Sequence, residues 1–357
     1  MHNYAILCSP GHSRVYFEAS REMAASELVI ALRKADVDRE AVKDSLKHEK
    51  IAGIWYLTFA AGEKLTQGDI EIISGLSFVF AMFEVLVLEN GGEISFLPVE
   101  KTAVQYMDES VSHILKYAGK TNELFTRMMI NIAAYSQDRA DAGPLRLLDP
   151  VAGKGTTLYE GLIKGYDVYG VEIGDAAVNE AYHYFKRFLE LGKFKHTVET
   201  RRVCGPNKSY MAERHTFEIA RTKEEQRGKD VRIAEIIAGN SMYADEFYKK
   251  NFFDIIVGDL PYGVAHGNVL NDTKRDKKSS PTRNPSELLA ACLPAWREVL
   301  KPGGAIVLAW NSFVLPRDKM EAIFAEKGFA VLNEGEYLNF SHRVDQAIMR
   351  DVIAARK

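Results

Sequence analysis

Short apolar runs alternate with amphipathic segments from about residue 116 onwards. The pattern predicts strands and helices in turn, at 146–149 (strand), 176–191 (helix), 254–258 (strand), 286–300 (helix) and 305–311 (strand). Alternation of this kind is typical of a parallel sheet covered by helices on both faces. Two further segments, 329–333 and 346–353, are expected to form an antiparallel hairpin at one edge. Residues 340–343 are interpreted as a surface turn, with His342 or Arg343 facing a substrate as the alternative.

The first 110 residues follow another pattern. Strands are predicted at 4–8, 54–59, 78–88 and 93–97, with one helix at 20–34. We therefore expect two domains, a small α+β domain over 1–110 and an α/β domain over 111–357. The front domain has no cluster of residues suited to catalysis, so a role as a scaffold or recognition module is expected for it.

Composition narrows the class of protein. A hydrophobic content of 46% and a charged content of 27% are ordinary for a soluble globular chain. Three widely spaced cysteines indicate a reducing compartment and argue against a disulfide framework or a zinc site. The apolar runs also fall short of the ~20 residues needed to span a bilayer. The prediction is a cytoplasmic protein without a metal or a membrane partner.

The charge is unevenly distributed. Residues 1–110 contain 10 Lys/Arg and 17 Asp/Glu, a net charge of −7, whereas the remainder carries +4. Phosphate contacts supply most non-specific affinity for nucleic acid, so the second part is the expected place for such a partner. Within it, the Arg- and Lys-rich stretch 195–232 is interpreted as a solvated surface insertion, with a substrate-contacting arm as the alternative.

A glycine turn between a strand and a helix is the first candidate site. Gly153 and Gly155 allow a ligand to approach the backbone closely, but Leu158 replaces the third glycine of a dinucleotide-binding turn. Asp149 ends the strand, and a carboxylate suits the ammonium and sulfonium of S-adenosylmethionine better than a pyrophosphate. The predicted cofactor-binding residues in this turn are Asp149, Val151, Gly153, Gly155 and Thr156.

Two later strand ends complete the predicted cofactor site. Glu172 follows the turn by about 20 residues, the spacing at which an acid accepts both ribose hydroxyls. Asn240 follows the apolar run 233–237 and is expected to bind the adenine edge, together with Ser241. Asp245 is a weaker candidate for the same role.

The segment Asp259-Leu260-Pro261-Tyr262-Gly263 is the predicted catalytic loop. An aromatic amine is a poor nucleophile because its lone pair is delocalised into the ring. The Asp259 carboxylate and the Leu260 carbonyl are expected to accept its two N–H groups, while Pro261 stiffens the loop and Tyr262 stacks on the base. The nitrogen is then held in line with the methyl group, which is catalysis by positioning.

These motifs resemble the class I S-adenosylmethionine methyltransferases, and Asp259 to Tyr262 resembles the (Asp/Asn/Ser)-Pro-Pro-(Tyr/Phe) signature of amino-nitrogen methyltransferases. More narrowly, the chain is similar to the tRNA guanosine N2-methyltransferases that usually carry a THUMP domain, although none is evident here. The resemblance implies a Rossmann-like sheet. It also implies that the helix at 121–134 covers the cofactor through its entry residues Thr121 and Asn122, either of which suits an N-cap.

Several functions stay open. A basic run after the catalytic loop would bind phosphates of a flipped nucleotide or form a solvated loop, and its residues are Lys274, Arg275, Lys277 and Lys278. Methylation of guanine N2 in RNA, with tRNA as the first guess, is the leading hypothesis. The alternatives are methylation of DNA adenine N6, methylation of a protein or small-molecule amine, and a non-catalytic S-adenosylmethionine-binding subunit. The oligomeric state also stays open, a homodimer included.

Overall fold

The computed structural model describes residues 1–9, 14–87, 94–102, 105–113, 120–139, 143–205, 210–261 and 285–357. The helices are α1 Arg14–Ala31, α2 Arg39–Ser45, α3 Gln67–Ser74, α4 Ser110–His113, α5 Glu123–Ser136, α6 Thr156–Ile163, α7 Asp175–Leu191, α8 Lys223–Gly228, α9 Ala244–Phe247, α10 Pro285–Val299 and α11 Arg317–Glu326. The strands are β1 His2–Cys8, β2 Lys47–Ile51, β3 Ile54–Ala61, β4 Val79–Val87, β5 Ile94–Val99, β6 Arg146–Asp149, β7 Asp167–Glu172, β8 Lys195–Cys204, β9 Met211–Ala220, β10 Arg232–Ala238, β11 Phe253–Asp259, β12 Leu300–Asn311, β13 Ala330–Leu332, β14 His342–Arg343 and β15 Met349–Arg356.

The front of the chain forms a five-stranded sheet in the order β2-β3-β1-β4-β5, with every neighbouring pair antiparallel. The predicted strands correspond to β1, β3, β4 and β5, and the predicted helix corresponds to α1. The small α+β unit expected from the sequence is confirmed. The edge strand β2 was not predicted, because its polar, largely exposed residues carry no apolar alternation.

A ten-stranded mixed sheet forms the rest of the protein, in the order β13-β15-β12-β11-β6-β7-β10-β9-β8, with β14 paired to β15. Strands β10, β7, β6, β11 and β12 are parallel neighbours, and β15 is antiparallel to both β12 and β13. The predicted Rossmann-like α/β sheet with an antiparallel edge is therefore confirmed. The carboxyl ends of its parallel strands lie at one edge, where ligands of open α/β sheets bind.

The polar stretch 195–232 is more ordered than a solvated insertion. It contains the β8–β9 hairpin and α8, and β9 pairs antiparallel with β10, so the hairpin widens the main sheet. Phe217 and Ile219 on β9 are buried, whereas Arg201 and Arg202 on the outer strand β8 are exposed. The many charged residues of 195–232 made the whole stretch look like surface in the sequence. The expectation of a surface insertion therefore missed the buried residues of β9.

A buried polar network joins the two sheets through α1 and α5. The Glu27 carboxylate accepts hydrogen bonds from the Ser77 backbone N–H at 2.9 Å, the Ser77 hydroxyl at 2.5 Å and the Asn131 side-chain amide at 2.6 Å. Burial raises the pKa of Glu27. Lys164, directly after α6, donates to the Gly75 carbonyl at 3.2 Å, and burial lowers its pKa to about 8. The front unit is thus attached to the main sheet by specific hydrogen bonds.

Replacing Glu27 with alanine is expected to destabilise the protein by about 1–3 kcal/mol, because Ser77 and Asn131 then keep buried donors without their acceptor. The measurement is the urea midpoint of unfolding. Glu22→Ala, on the exposed side of the same helix, is the matched control and should leave the midpoint unchanged. Equal midpoints for both variants would show that the network contributes nothing to stability.

Candidate active site

The glycine turn has the predicted strand–turn–helix geometry. Strand β6 ends at Asp149, and α6 begins at Thr156 with Gly155 as its N-cap. Gly153 and Gly155 have positive φ angles of +52° and +90°, a region that side-chain-bearing residues rarely adopt. Thr156 and its neighbour Thr157 are buried at the start of the helix. Glycine therefore suits both positions where the backbone turns at the sheet edge, and Gly155, at +90°, most of all.

Asp149 lies buried beneath this turn. Its Oδ1 accepts a hydrogen bond from the Val151 backbone N–H at 3.0 Å. Burial, with a smaller contribution from the negative charges of Glu172 and Asp259, raises the pKa of Asp149 to about 7, against the opposing effect of hydrogen bonds from Thr157 and Val151. Three carboxyl groups on three neighbouring strands thus concentrate negative potential at one point, an arrangement that favours a cationic ligand.

Glu172, the last residue of β7, stabilises the turn directly. Its Oε2 accepts from the Gly153 backbone N–H at 2.9 Å, and its Oε1 accepts from the Gly174 backbone N–H at 2.7 Å. A carboxylate has about four acceptor sites, so these two bonds leave capacity for ligand hydroxyls. The side chain can therefore orient the glycine turn and bind a ribose at the same time.

A small cleft lies beside these groups at the carboxyl ends of β6, β7 and β10. It brings together four of the predicted cofactor residues with an apolar wall, and its lining includes Pro150, Val151, Glu172, Asn240, Ser241 and Leu288. Asn240 Oδ1 accepts from the Met242 backbone N–H at 3.1 Å, and Trp296 Nε1 donates to the Ser241 carbonyl at 3.1 Å. The weaker candidate Asp245 is exposed on α9 and does not line this cleft.

The predicted catalytic carboxylate lies at the end of β11, next to the cleft. Thr121 Oγ1 donates a hydrogen bond to Asp259 Oδ2 at 2.6 Å. The Leu260 backbone N–H donates to the Ala309 carbonyl at 2.9 Å, and the Leu260 side chain is buried, so the start of the loop is anchored to β12. Pro261 ends this described segment.

The two residues predicted to cover the cofactor, Thr121 and Asn122, lie directly before α5 and make different contacts. Asn122 is the N-cap, since its Oδ1 accepts from the Phe125 backbone N–H at 3.1 Å. Thr121 instead directs its hydroxyl to Asp259. The two neighbouring residues therefore have different contacts, one fixing the start of the helix and the other the catalytic loop.

One residue that the sequence analysis missed, Arg350, and one that it named as an alternative substrate contact, His342, complete the surroundings of Asp259. Arg350 on β15 is buried, with its Nη2 at 3.6 Å from Asp259 Oδ2. His342 on β14 is the strand partner of Arg350 and is also buried, so the interpretation of 340–343 as a surface turn is wrong for this residue. Burial lowers the pKa of His342. The charged pair Arg350 and Asp351 within the mostly apolar final strand was the available signal.

Some predicted residues lie outside the described part of the chain. These are Tyr262 of the catalytic loop and the basic residues Lys274, Arg275, Lys277 and Lys278. Within the described ranges, no group of three His, Cys, Asp or Glu side chains is arranged to bind a metal ion. The helices of those ranges include none that is long and apolar enough to cross a membrane.

The sequence matches no protein-family model and no curated protein. Among solved structures the chain is similar to TehB from Haemophilus influenzae, at 14% identity over 64% of this chain and 61% of that one, with a TM-score of 0.34. It thus spans about three fifths of the length of that protein. It is also similar to TrmN from Thermus thermophilus, at 12% identity over 100% and 99% of the two chains, with a TM-score of 0.42.

A third similar structure is the magnesium protoporphyrin IX methyltransferase (ChlM) from Synechocystis PCC 6803 with bound SAM. The identity is 10% over 68% of this chain and 86% of that one, with a TM-score of 0.37. At such identities and TM-scores these likenesses carry no conclusion about activity. The function of the chain therefore has to be derived from its own residues.

Proposed function

We propose that the protein is an S-adenosylmethionine-dependent methyltransferase that acts on an exocyclic amino nitrogen of a nucleic-acid base. The observation that carries the proposal is the position of Asp259. Its carboxylate ends a parallel strand near a small cleft and two further carboxyl groups, and it begins the Asp-Leu-Pro-Tyr segment. This combination suits transfer between a cationic methyl donor and a neutral amine.

The residues of the cleft fit S-adenosylmethionine. Asp149, Glu172 and Asp259 supply the negative potential that suits a sulfonium and an ammonium. The charges of Glu172 and Asp259 add to the burial that raises the pKa of Asp149. Glu172 is the candidate for the ribose hydroxyls, and Asn240 with Ser241 for the adenine edge, next to the apolar Leu288. When bound, the cofactor supplies an electrophilic methyl group on a positively charged sulfur.

Asp259 and the Leu260 carbonyl are proposed to accept the two N–H groups of the acceptor amine. Accepting these protons in hydrogen bonds favours a pyramidal nitrogen and directs its lone pair towards the methyl donor. The anchoring of the Leu260 N–H to β12 fixes the loop, so the catalytic contribution is orientation at about 3–3.5 Å between the reacting atoms. The positive charge of the sulfonium is lost on transfer, which makes a metal ion unnecessary.

Guanine N2 in RNA is the proposed acceptor, with tRNA as the first RNA to test. The support is the net charge of +4 over residues 111–357 and the run of basic residues after the catalytic loop. The acidic front domain does not suit phosphate binding and is proposed to act as a scaffold. This assignment concerns the substrate only, and a different amine would use the same Asp259 chemistry.

The test is transfer of radiolabelled methyl from S-adenosylmethionine to separate fractions of total RNA, DNA and protein. We expect label in the RNA fraction, identified after digestion to nucleosides as N2-methylguanosine, and at least about 100-fold slower labelling with Asp259→Asn as the matched control. Label in DNA or protein would replace the RNA proposal by one of the other amine acceptors. Binding of S-adenosylmethionine without label in any fraction would favour a non-catalytic subunit and contradict the proposed activity.

A further inference from the structure

The Asp259 carboxylate contacts two side chains from other parts of the fold, Thr121 before α5 and Arg350 on β15. These two residues and their neighbours Phe125 and His342 are called the Asp259 cradle. Thr121 Oγ1 and Arg350 Nη2 lie 2.6 Å and 3.6 Å from the same oxygen, Asp259 Oδ2. One contact is a short hydrogen bond from a hydroxyl and the other an ion pair with a buried guanidinium. Together they define where this carboxylate points.

The register of the sheet explains why Arg350 reaches Asp259. Asp259 is opposite Ala309 on β12, and Ala309 is opposite Val352 on β15. Side chains alternate along a strand, so Arg350, two residues before Val352, projects from the same face as Asp259. This face is the one that α5 covers, which brings the entry residue Thr121 to the same point. The pairing of strands therefore builds the contact into the fold.

Aromatic contacts fix the guanidinium. Arg350 Cζ lies 4.6 Å from the ring centroid of Phe125, a cation–π distance, and the His342 ring centroid lies 5.2 Å from the same ring. Arg350 is only 7% exposed. A buried guanidinium is costly without an anionic partner, and breaking such a pair is strongly destabilising. The ion pair between Arg350 and Asp259 is therefore expected to persist in the folded protein.

We propose that Arg350 and Thr121 are positioning residues, which hold the Asp259 carboxylate in the orientation that accepts an N–H of the acceptor amine. This inference rests on the proposed function. The guanidinium supplies the counter-charge for Asp259, whose negative charge lies near Asp149, and the hydroxyl sets the direction of Oδ2. Removal of either partner lets the carboxylate rotate away from the acceptor and slows transfer without removing the cofactor site.

The test is a double-mutant cycle on kcat, with S-adenosylmethionine as donor and total RNA as acceptor. Arg350→Met is expected to lower kcat by about 10-fold, the scale of coupling between residues in direct contact. In the Asp259→Asn background the same change should alter kcat less than about 2-fold, because the carboxylate through which it acts is gone. The dissociation constant of S-adenosylmethionine, measured by calorimetry, should stay within a factor of about 2.

Two comparisons separate positioning from a general loss of structure. Arg343→Met removes an exposed arginine of the neighbouring strand β14 and should leave kcat unchanged. Thr121→Val, which deletes the hydroxyl at nearly constant volume, should lower kcat, and Thr121→Ser should restore it. This second pair decides the question if Arg350→Met fails to fold. An equal loss for Arg350→Met in both backgrounds, or equal rates for Thr121→Val and Thr121→Ser, would overturn the inference.

Crystal structures of the Arg350→Met and Arg343→Met proteins test the same point without an activity assay. We expect Asp259 to change its side-chain rotamer and lose the Thr121 hydrogen bond in the first variant only. An unchanged Asp259 in both would overturn the positioning role. Failure of the proposed function has a different signature, since the wild type would then transfer no methyl to RNA, while the two crystal structures would still report the geometry around Asp259.

Discussion

Asp259→Asn is expected to slow methyl transfer by roughly 100- to 1,000-fold, the usual cost of deleting one preorganised electrostatic group from an active site. The amide keeps the size of the side chain and one acceptor oxygen. It loses the negative charge that draws the acceptor N–H and that faces the methyl donor. The measurement is single-turnover transfer of radiolabelled methyl, with the dissociation constant of S-adenosylmethionine determined in parallel.

The matched control is Asp245→Asn, which removes an exposed carboxylate outside the cleft and should leave the rate unchanged. Thermal unfolding of both variants distinguishes a chemical loss from partial unfolding. A wild-type rate for Asp259→Asn would contradict the role assigned to the loop. A loss caused entirely by weaker cofactor binding would move Asp259 from the acceptor to the donor side of the reaction.

Asp149→Asn is expected to stabilise the cofactor-free protein at pH 8 and to weaken binding of S-adenosylmethionine. The pKa of Asp149 is raised from 3.8 to about 7, chiefly by burial, so the folded state binds the proton more tightly than the unfolded state does. Stability of the wild type therefore falls as the pH rises from about 4 to about 7 and stays reduced above that range. Asparagine carries no charge, and the variant escapes this loss.

Urea unfolding of wild type and variant at pH 5 and pH 8 measures the effect. At 1.36 kcal/mol per pKa unit the gain should reach about 2–4 kcal/mol at pH 8 and be smaller at pH 5. Calorimetry should give an S-adenosylmethionine affinity at least about 10-fold weaker, since one of three carboxyl groups is lost. A stability gain that does not depend on pH, or a variant less stable than wild type at pH 8, would contradict the raised pKa of Asp149 in the folded protein.

Much of the fold follows from the sequence alone. The strand 146–149 coincides with β6, and the predicted helices at 176–191 and 286–300 differ from α7 and α10 by one residue at each affected end. These elements are buried within one sheet and its covering helices, so their periodicity records their surroundings directly. The turn between β6 and α6 could also be predicted from the sequence, because positive φ angles such as those of Gly153 and Gly155 favour glycine.

The sequence also determined the candidate residues that end parallel strands. Asp149, Glu172, Asn240 and Asp259 follow apolar runs, and parallel strands present their carboxyl ends at a common edge. The cleft lined by Val151, Glu172, Asn240 and Ser241 is a consequence of that rule. Local pattern was sufficient wherever a residue's position depends on its own strand.

Only the tertiary structure decided what surrounds Asp259 and how the charged stretch 195–232 folds. Arg350 reaches Asp259 through two strand registers and Thr121 through the packing of α5, contacts that join residues far apart in the chain. Strand β8 is held by pairing with β9 rather than by burial of its own side chains. Such features depend on which strands become neighbours, and hydrophobic periodicity reports the burial of a segment without identifying its partner.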